Sequence, residues 1–194
     1  MRLIKNVLRF VAWTVDVGLL YPRSVKMKPL SLVAAVDADW GGCKETRKST
    51  SGWIIAINGS PIVWRTRKQS MISLSSAESE YVALCDCAKN VLWMRKFYWE
   101  MCNKEPWPVK GVKLGPTTVQ IDSTAGKAFA ENKQVTARNK HIDLKYRFVN
   151  LAITSKHMVL EYVASEMNPS DMLTKILDLP TLEHFSDLIR LIKG

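Results

Sequence analysis

The chain has 194 residues, 47% of them hydrophobic, which is enough for one domain with a true core plus short extensions. Lys and Arg number 28 against 18 Asp and Glu, so the net charge of +10 favours a polyanionic partner, nucleic acid before membrane. No apolar run is long enough to span a bilayer, and four cysteines without zinc-type pairing fit a reduced, intracellular protein.

Leu3, Ile4, Val7, Leu8, Val11 and Val15 recur at helical spacing, with Arg2, Lys5 and Arg9 on the other side. Such a start fits a mitochondrial presequence or a helix that packs on a neighbouring domain. Lys5 and Arg9 interrupt the apolar stretch and argue against a secretory signal. Residues 31–38, SLVAAVDA, read as a buried strand, followed by a Gly41-Gly42 loop with the charged run KETRKS. Residues 52–57 and 61–66 form a hairpin around Asn58-Gly59, and that turn explains the dipeptide better than a glycosylation acceptor does.

Ser75 and Glu78 make a capping box that opens a helix of more than twenty residues, with Leu84, Ala88, Val91, Leu92 and Met101 on its apolar face. Residues 103–116 are a loop broken by prolines and glycines. A strand at 117–122 then leads into a short helix through Ala125 and Phe129. A basic loop at 132–140 precedes a helix from about Ile142 to Ser155 and an alternating strand at 157–163. Helices are expected near 169–176 and after Pro180, the last carrying Leu182, Phe185, Leu188 and Ile192. The order is βββαβααβα plus a final helix, a mixed sheet flanked by helices.

Four carboxylates sit at chemically suggestive places. Asp37 in VDADWGG and Asp122 in VQIDSTAG each close an apolar strand, Glu80 lies in the second turn of the long helix, and Asp171 in NPSDMLTK starts a later one. Carboxylates at strand ends and helix starts can converge on one point, hold hard divalent cations and drive phosphoryl chemistry.

At these motifs the chain resembles the ribonuclease H domain of copia-type LTR retrotransposon polyproteins. The resemblance rests on DADWGGCKETRKSTSGW, SLSSAESEYVALCDCAKNVLWMR, ARNKHIDLKYRFV and YVASEMNPSDMLTK, and it covers roughly residues 30–178. IKNVLRFVAWTVDVGLLY resembles the segment that joins reverse transcriptase to ribonuclease H in those polyproteins. The resemblance implies three parts: a joining segment at 1–30, a ribonuclease H-like domain at 31–178, and a terminal helix at 179–194. It also implies a ribonuclease H fold, a five-stranded mixed sheet with helices on both faces.

Carried over residue by residue, the family's catalytic and metal-binding carboxylates fall on Asp37, Glu80, Asp122 and Asp171. Asp39 competes with Asp37, since both can face one side of a strand, and Glu78 competes with Glu80. Asp37 is preferred because the family's carboxylate precedes a small residue at the strand end, and Glu80 because Glu78 belongs to the capping box. The implied cofactor is Mg²⁺ or Mn²⁺, two ions per site, with no small-molecule cofactor. The implied activity is endonucleolytic cleavage of the RNA strand of RNA–DNA hybrids, leaving 5′-phosphomonoesters, with a reverse transcriptase domain as a partner. A domesticated, non-catalytic domain that binds nucleic acid or protein is the alternative.

Arg47, Lys48, Lys68, Arg138 and Lys140 are candidates for phosphate contact, and Ser76 for contact with the substrate at the start of the long helix. Basic runs are also common on solvated faces, and capping alone explains Ser75. His141 reads as structural. Trp40, Trp53, Trp64 and Trp93 read as packing residues rather than base-stacking platforms. The loop ASEMNP before Asp171 lacks the histidine that some cellular ribonucleases H carry there.

Overall fold

The computed structural model describes residues 2–22, 31–103, 114–131 and 143–193. Five helices, α1 (Arg2–Trp13), α2 (Ser76–Asn103), α3 (Thr124–Glu131), α4 (Asp143–Thr154) and α5 (Leu179–Leu188), accompany seven strands among these residues. The strands are β1 (Val17–Leu19), β2 (Leu32–Asp39), β3 (Thr50–Ile57), β4 (Ser60–Lys68), β5 (Thr117–Ile121), β6 (Met158–Tyr162) and β7 (Leu191–Lys193). Five strands make one mixed sheet in the order β4-β3-β2-β5-β6, antiparallel from β4 to β2 and parallel from β2 to β6.

The β3–β4 hairpin follows from its turn chemistry. Asn58 and Gly59 both take positive φ, 51° and 85°, which these two residue types tolerate and which matches the twist of the flanking strands. Asn58 Oδ1 also accepts from the Ser31 amide, tying the turn to the start of β2. Strand β2 is central and buried on both sides, which is why LVAAVDAD reads as a continuous apolar run instead of alternating.

Side chains of β3 alternate between two environments. Trp53 and Ile55 join the core built by Tyr81, Leu84, Ala88 and Val91 of α2, all fully buried. The Trp53 indole donates to Asp86 of α2 at 3.0 Å. Helix α4 closes this layer, and Tyr81 donates its hydroxyl to the Lys145 carbonyl. Gly52 and Ile54 point the other way. There the sheet meets a 3₁₀ segment at Pro169–Leu173 and an apolar cavity of about 210 Å³ lined by Ile54, Trp64, Leu173, Ile189 and Leu191, among others.

Three expectations change. The helix expected near 169–176 is the 3₁₀ segment Pro169–Leu173, because Pro169 sits at its first turn and the Asn168 side chain caps it by accepting from the Ser170 amide. The last helix stops at Leu188, Arg190 turns left-handed with φ 57°, and Ile192 pairs with Gly18 in a β1–β7 ribbon. That ribbon joins the two flanking segments, and Tyr21 and Ser60 bond it to the sheet edge, Tyr21 to the Pro61 carbonyl and Ser60 to the Leu20 carbonyl. Val15 lies beyond α1, in the turn before β1. The expected basic loop at 132–140 and most of the loop at 103–116 lie outside the described residues.

Candidate active site

Strand β2 ends against the ends of its neighbours, and the proposed carboxylates gather there. Asp37 is the sixth residue of β2, pairs with Gly52 of β3 and is only 1% exposed. Glu80 comes from the second turn of α2, and Asp122 follows the last residue of β5. One carboxylate oxygen from each of Asp37, Glu80 and Asp122 lies within 4.8 Å of the others. Asp171, in the 3₁₀ segment, joins the group through Lys175, whose ammonium is 2.8 Å from Asp171 Oδ2 and 3.5 Å from Asp37 Oδ1.

The two competing assignments separate. The Glu78 carboxylate accepts from the Leu74 amide at 2.7 Å while Ser75 Oγ accepts from the Glu78 amide, so Glu78 is committed to the start of α2. Asp39 lies over Gly42, so close that a methyl group on Gly42 would overlap its carboxylate. Asp37 and Glu80 are therefore the residues of each pair that reach the cluster.

Several neighbours fix these carboxylates, and sequence reasoning missed them. Thr174 donates its hydroxyl to Asp37 Oδ2. Ser165 donates to Asp122 Oδ2 at 2.8 Å. Fully buried Asn168 donates from Nδ2 to the Val36 carbonyl at 3.0 Å, pinning the 3₁₀ segment to the strand that carries Asp37. The Asn-Pro pair was the available signal, since Asn before Pro favours a side-chain-capped turn. His184 of α5 reaches the loop that lacks its own histidine, with Nε2 2.8 Å from the Glu166 carbonyl oxygen.

Burial dominates the electrostatics. It raises the Asp37 carboxyl above its ordinary range, with Thr174 and Lys175 opposing. Burial, together with the charges of Asp37 and Asp122, pushes Glu80 up to about 9. Asp171 rises to about 6, again through burial and against the bond from Lys175. Burial draws the Lys175 ammonium down, but its bond to Asp171 and the carboxylates of Asp37, Asp171 and Asp122 carry it above the usual lysine value.

Glu80 Oε2 and Asp171 Oδ1 are buried without a hydrogen-bond partner. Unsatisfied buried oxygens on converging carboxylates match the hard donor set that Mg²⁺ and Mn²⁺ favour, so the residues fit the divalent ions that the sequence resemblance implies.

The described candidate nucleic-acid residues lie in the β2–β3 turn, at the end of β4 and at the start of α2. Arg47 and Lys48 close the β2–β3 turn, with the Arg47 amide donating to the Cys43 carbonyl at 2.7 Å and Arg47 at φ 53°. Lys68, at the end of β4, donates to Cys43 Sγ at 3.0 Å, and this bond holds the thiol well down, at about 6. Ser76 is exposed at the first position of α2, where its carbonyl accepts from Ser79 Oγ. Arg138, Lys140 and His141 lie outside the described residues. Of the tryptophans, Trp53 is a core residue, while Trp40, Trp64 and Trp93 are more than half exposed. Trp40 donates to the Ser73 carbonyl, and Trp93 stacks on Phe97 with centroids 5.4 Å apart.

No protein-family model matches the chain. It is 27% identical over 186 residues, 96% of its length, to the retrovirus-related Pol polyprotein from transposon TNT 1-94 of Nicotiana tabacum. It is 30% identical over 191 residues, 98% of its length, to the corresponding polyprotein from transposon RE2 of Arabidopsis thaliana. The chain spans 13% and 12% of the length of these two relatives. Among solved structures, LC11-RNase H1 isolated from compost superposes with a TM-score of 0.53, covering 74% of this chain and 92% of that one at 13% identity, a likeness of fold. By sequence the chain is a homologue of copia-type retrotransposon Pol polyproteins, and by structure it has the ribonuclease H fold.

Proposed function

We propose that the chain is a ribonuclease H that cuts the RNA strand of RNA–DNA hybrids endonucleolytically and leaves 5′-phosphomonoesters. The observation that carries this reading is the convergence of Asp37, Glu80 and Asp122, with a buried Glu80 oxygen left unsatisfied. Asp37, Glu80, Asp122 and Asp171 would hold two Mg²⁺ or Mn²⁺ ions. Such a pair supplies Lewis-acid charge to both the attacking and the leaving oxygen of an in-line displacement.

The chain's own residues do the positioning. Thr174 orients Asp37, Ser165 orients Asp122, and Asn168 fixes the segment that bears Asp171. The 2′-hydroxyl is the group that distinguishes RNA from DNA, and exposed Ser76 at the start of α2 is our candidate for contact with the substrate. Arg47, Lys48, Lys68, Arg138 and Lys140 are our candidates for phosphate contact, consistent with the net charge of +10.

We further propose the division into a joining segment at 1–30, a catalytic domain at 31–178 and a terminal segment at 179–194, acting inside the cell beside a reverse transcriptase domain. The exposed apolar residues Ile4, Val7, Leu8 and Val11 of α1 support such a partner. The four free cysteines agree with a reducing compartment, and no described helix is long and apolar enough to cross a membrane.

The test is hybrid cleavage with Mg²⁺ or Mn²⁺, compared with duplex DNA, duplex RNA and EDTA controls. Cleavage should be confined to the RNA strand of the hybrid and should vanish in folded Asp37→Asn and Asp122→Asn variants. Full activity in a folded Asp122→Asn variant would reject the site.

A further inference from the structure

A lysine stands inside the carboxylate cluster. Lys175 lies one helical turn past Asp171 and contacts Asp171 Oδ2 at 2.8 Å and Asp37 Oδ1 at 3.5 Å. Its side chain is 38% exposed, whereas those of Asp37 and Asp171 are 2% and 9% exposed. The ammonium therefore enters from the solvent side and contacts two carboxylates that, with it in place, are almost out of water. Thr174, the preceding residue, donates to the other oxygen of Asp37. The two residues after Leu173 thus hold both oxygens of Asp37.

We propose that Lys175 is an internal counter-cation. It keeps Asp37 and Asp171 together in the metal-free protein and must leave when those carboxylates take up a divalent ion. The inference rests on the metal-dependent reading above. Its physical basis is competition for the same oxygens. Divalent Mg²⁺ requires oxygen ligands at about 2.0–2.1 Å and near-octahedral order. An ammonium hydrogen-bonded to one of those oxygens occupies its lone pairs and repels the incoming charge. A single positive charge also leaves the site under-neutralised, because Glu80 Oε2 and Asp171 Oδ1 stay without a partner. Lys175 is suited to being displaced: its stem is flexible, its head is strongly hydrated, and solvent lies beside it. Asp37 and Asp171 lie 134 positions apart in the chain, so a built-in cation keeps distant parts of the site assembled between metal-binding events.

The experiment is calorimetric titration of the full chain with MnCl₂, without nucleic acid, for wild type, Lys175→Met, Lys175→Gln and Lys175→Arg. Removing the charge in the Met and Gln variants should tighten Mn²⁺ binding by about tenfold, the scale of one charge partner lost at a partly solvated site. The Arg variant should stay within about threefold of wild type, since it keeps the charge at the same depth. Thermal melts give a second readout. Without metal the Met and Gln variants should melt below wild type, and saturating Mn²⁺ should shift them further than it shifts wild type.

Equal Mn²⁺ affinity in wild type and both neutral variants overturns the counter-cation role while leaving the metal site standing. Absence of Mn²⁺ binding in all four proteins overturns the role and the metal-dependent reading together. Neutral variants that are unfolded in EDTA but fold with Mn²⁺ support the role, because the ion then replaces the lysine. Neutral variants that stay unfolded with Mn²⁺ overturn it, because Lys175 is then a structural residue.

Discussion

Gly52 is the position where one carbon atom most directly tests the site. It sits opposite Asp37 in the β2–β3 register, and the 3₁₀ segment bearing Asp171 lies directly on it. A β-carbon there would fall 2.6 Å from Thr174 Cγ2, 2.8 Å from Leu173 Cβ and 3.1 Å from the Ser170 carbonyl oxygen. Thr174 cannot simply rotate away without surrendering its hydroxyl bond to Asp37, and Leu173 Cβ moves only with its backbone. The segment must therefore lift by about 1 Å to reach ordinary carbon contact distance. Gly52→Ala should cost about 1–3 kcal/mol through overpacking, less the smaller gain from replacing glycine in a strand. For a chain of this size that is a fall in Tm of roughly 2–12 °C. The same displacement moves Asp171, Thr174 and Lys175 relative to Asp37, and a 1 Å misplacement costs about 10²-fold in rate. The assay is hybrid cleavage beside a thermal melt of the metal-free protein. Adding Thr174→Ser removes the nearest methyl, keeps the hydroxyl, and should restore part of both losses, a non-additive pair of the kind expected for residues in contact. Wild-type Tm and rate in Gly52→Ala would refute the reasoning, because the close approach would then be incidental.

Other outcomes follow from the same geometry. The folded carboxyls of Asp37, Glu80 and Asp171 titrate above their unfolded counterparts, Asp171 at about 6 and Glu80 at about 9. For a raised carboxyl the native state holds more protons than the unfolded chain. The associated stability is fully present below the unfolded value and is lost as pH rises through the folded one. The Tm of the metal-free protein should therefore fall between about pH 5 and pH 9 in EDTA, and Glu80→Gln should flatten the upper part of that decline. Mn²⁺ should reverse the trend, because it binds the ionised form. Asp37→Asn and Asp122→Asn should leave the metal-free melt no lower while removing most of the metal-induced shift, which in wild type reaches about 2.7 kcal/mol at a hundredfold excess over Kd. Cys43 should alkylate far faster near pH 7 than buried Cys85, Cys87 and Cys102, and Lys68→Met should slow it; equal labelling of all four thiols would contradict the Lys68–Cys43 contact. Deleting residues 2–14 should spare folding and cleavage, whereas deleting 2–22 removes β1 and its bonds to β7 and to Pro61 and should lower the Tm; an identical melt for both would show that the ribbon contributes nothing.

The parts of the fold that were legible in the sequence are those whose local pattern and long-range role coincide. The β2 run, the Asn58-Gly59 hairpin and the capped start of α2 each carry their own turn or cap chemistry, and the structure uses each of them as the pattern implies. Asp37, Glu80 and Asp122 were singled out because the resemblance carries its carboxylates onto them, at the close of apolar strands and in an early turn of the capped helix, and their oxygens lie within 4.8 Å of one another. The residues that hold them were not found, because their role depends on contacts across the chain. Asn168 reaches a carbonyl 132 positions away and Thr174 a carboxylate 137 positions away, and no local period encodes either contact. The same reason hid the β1–β7 ribbon. Each strand has only three residues, and Ile192 continues the helical spacing of α5 so well that only pairing with Gly18 reveals the break.

The composition of the site argues for a cation more strongly than its geometry alone. Burying Asp37, Glu80 and Asp171 beside Asp122 works against folding, since desolvation is the largest cause of every upward shift among them. A cluster whose purpose was stability would be better served by apolar side chains of similar volume. Here the chain instead supplies a hydroxyl to Asp37, a hydroxyl to Asp122 and one ammonium shared by Asp37 and Asp171. These partners orient the carboxylates but neutralise them only in part. Thr174 and Ser165 each engage one oxygen, and Glu80 Oε2 and Asp171 Oδ1 stay open in a buried setting where an unmet acceptor costs about 1–3 kcal/mol. A site oriented in this way but only partly neutralised gains stability from further positive charge. Under the proposed function, a divalent ion would complete the electrostatics that Lys175 satisfies only in part.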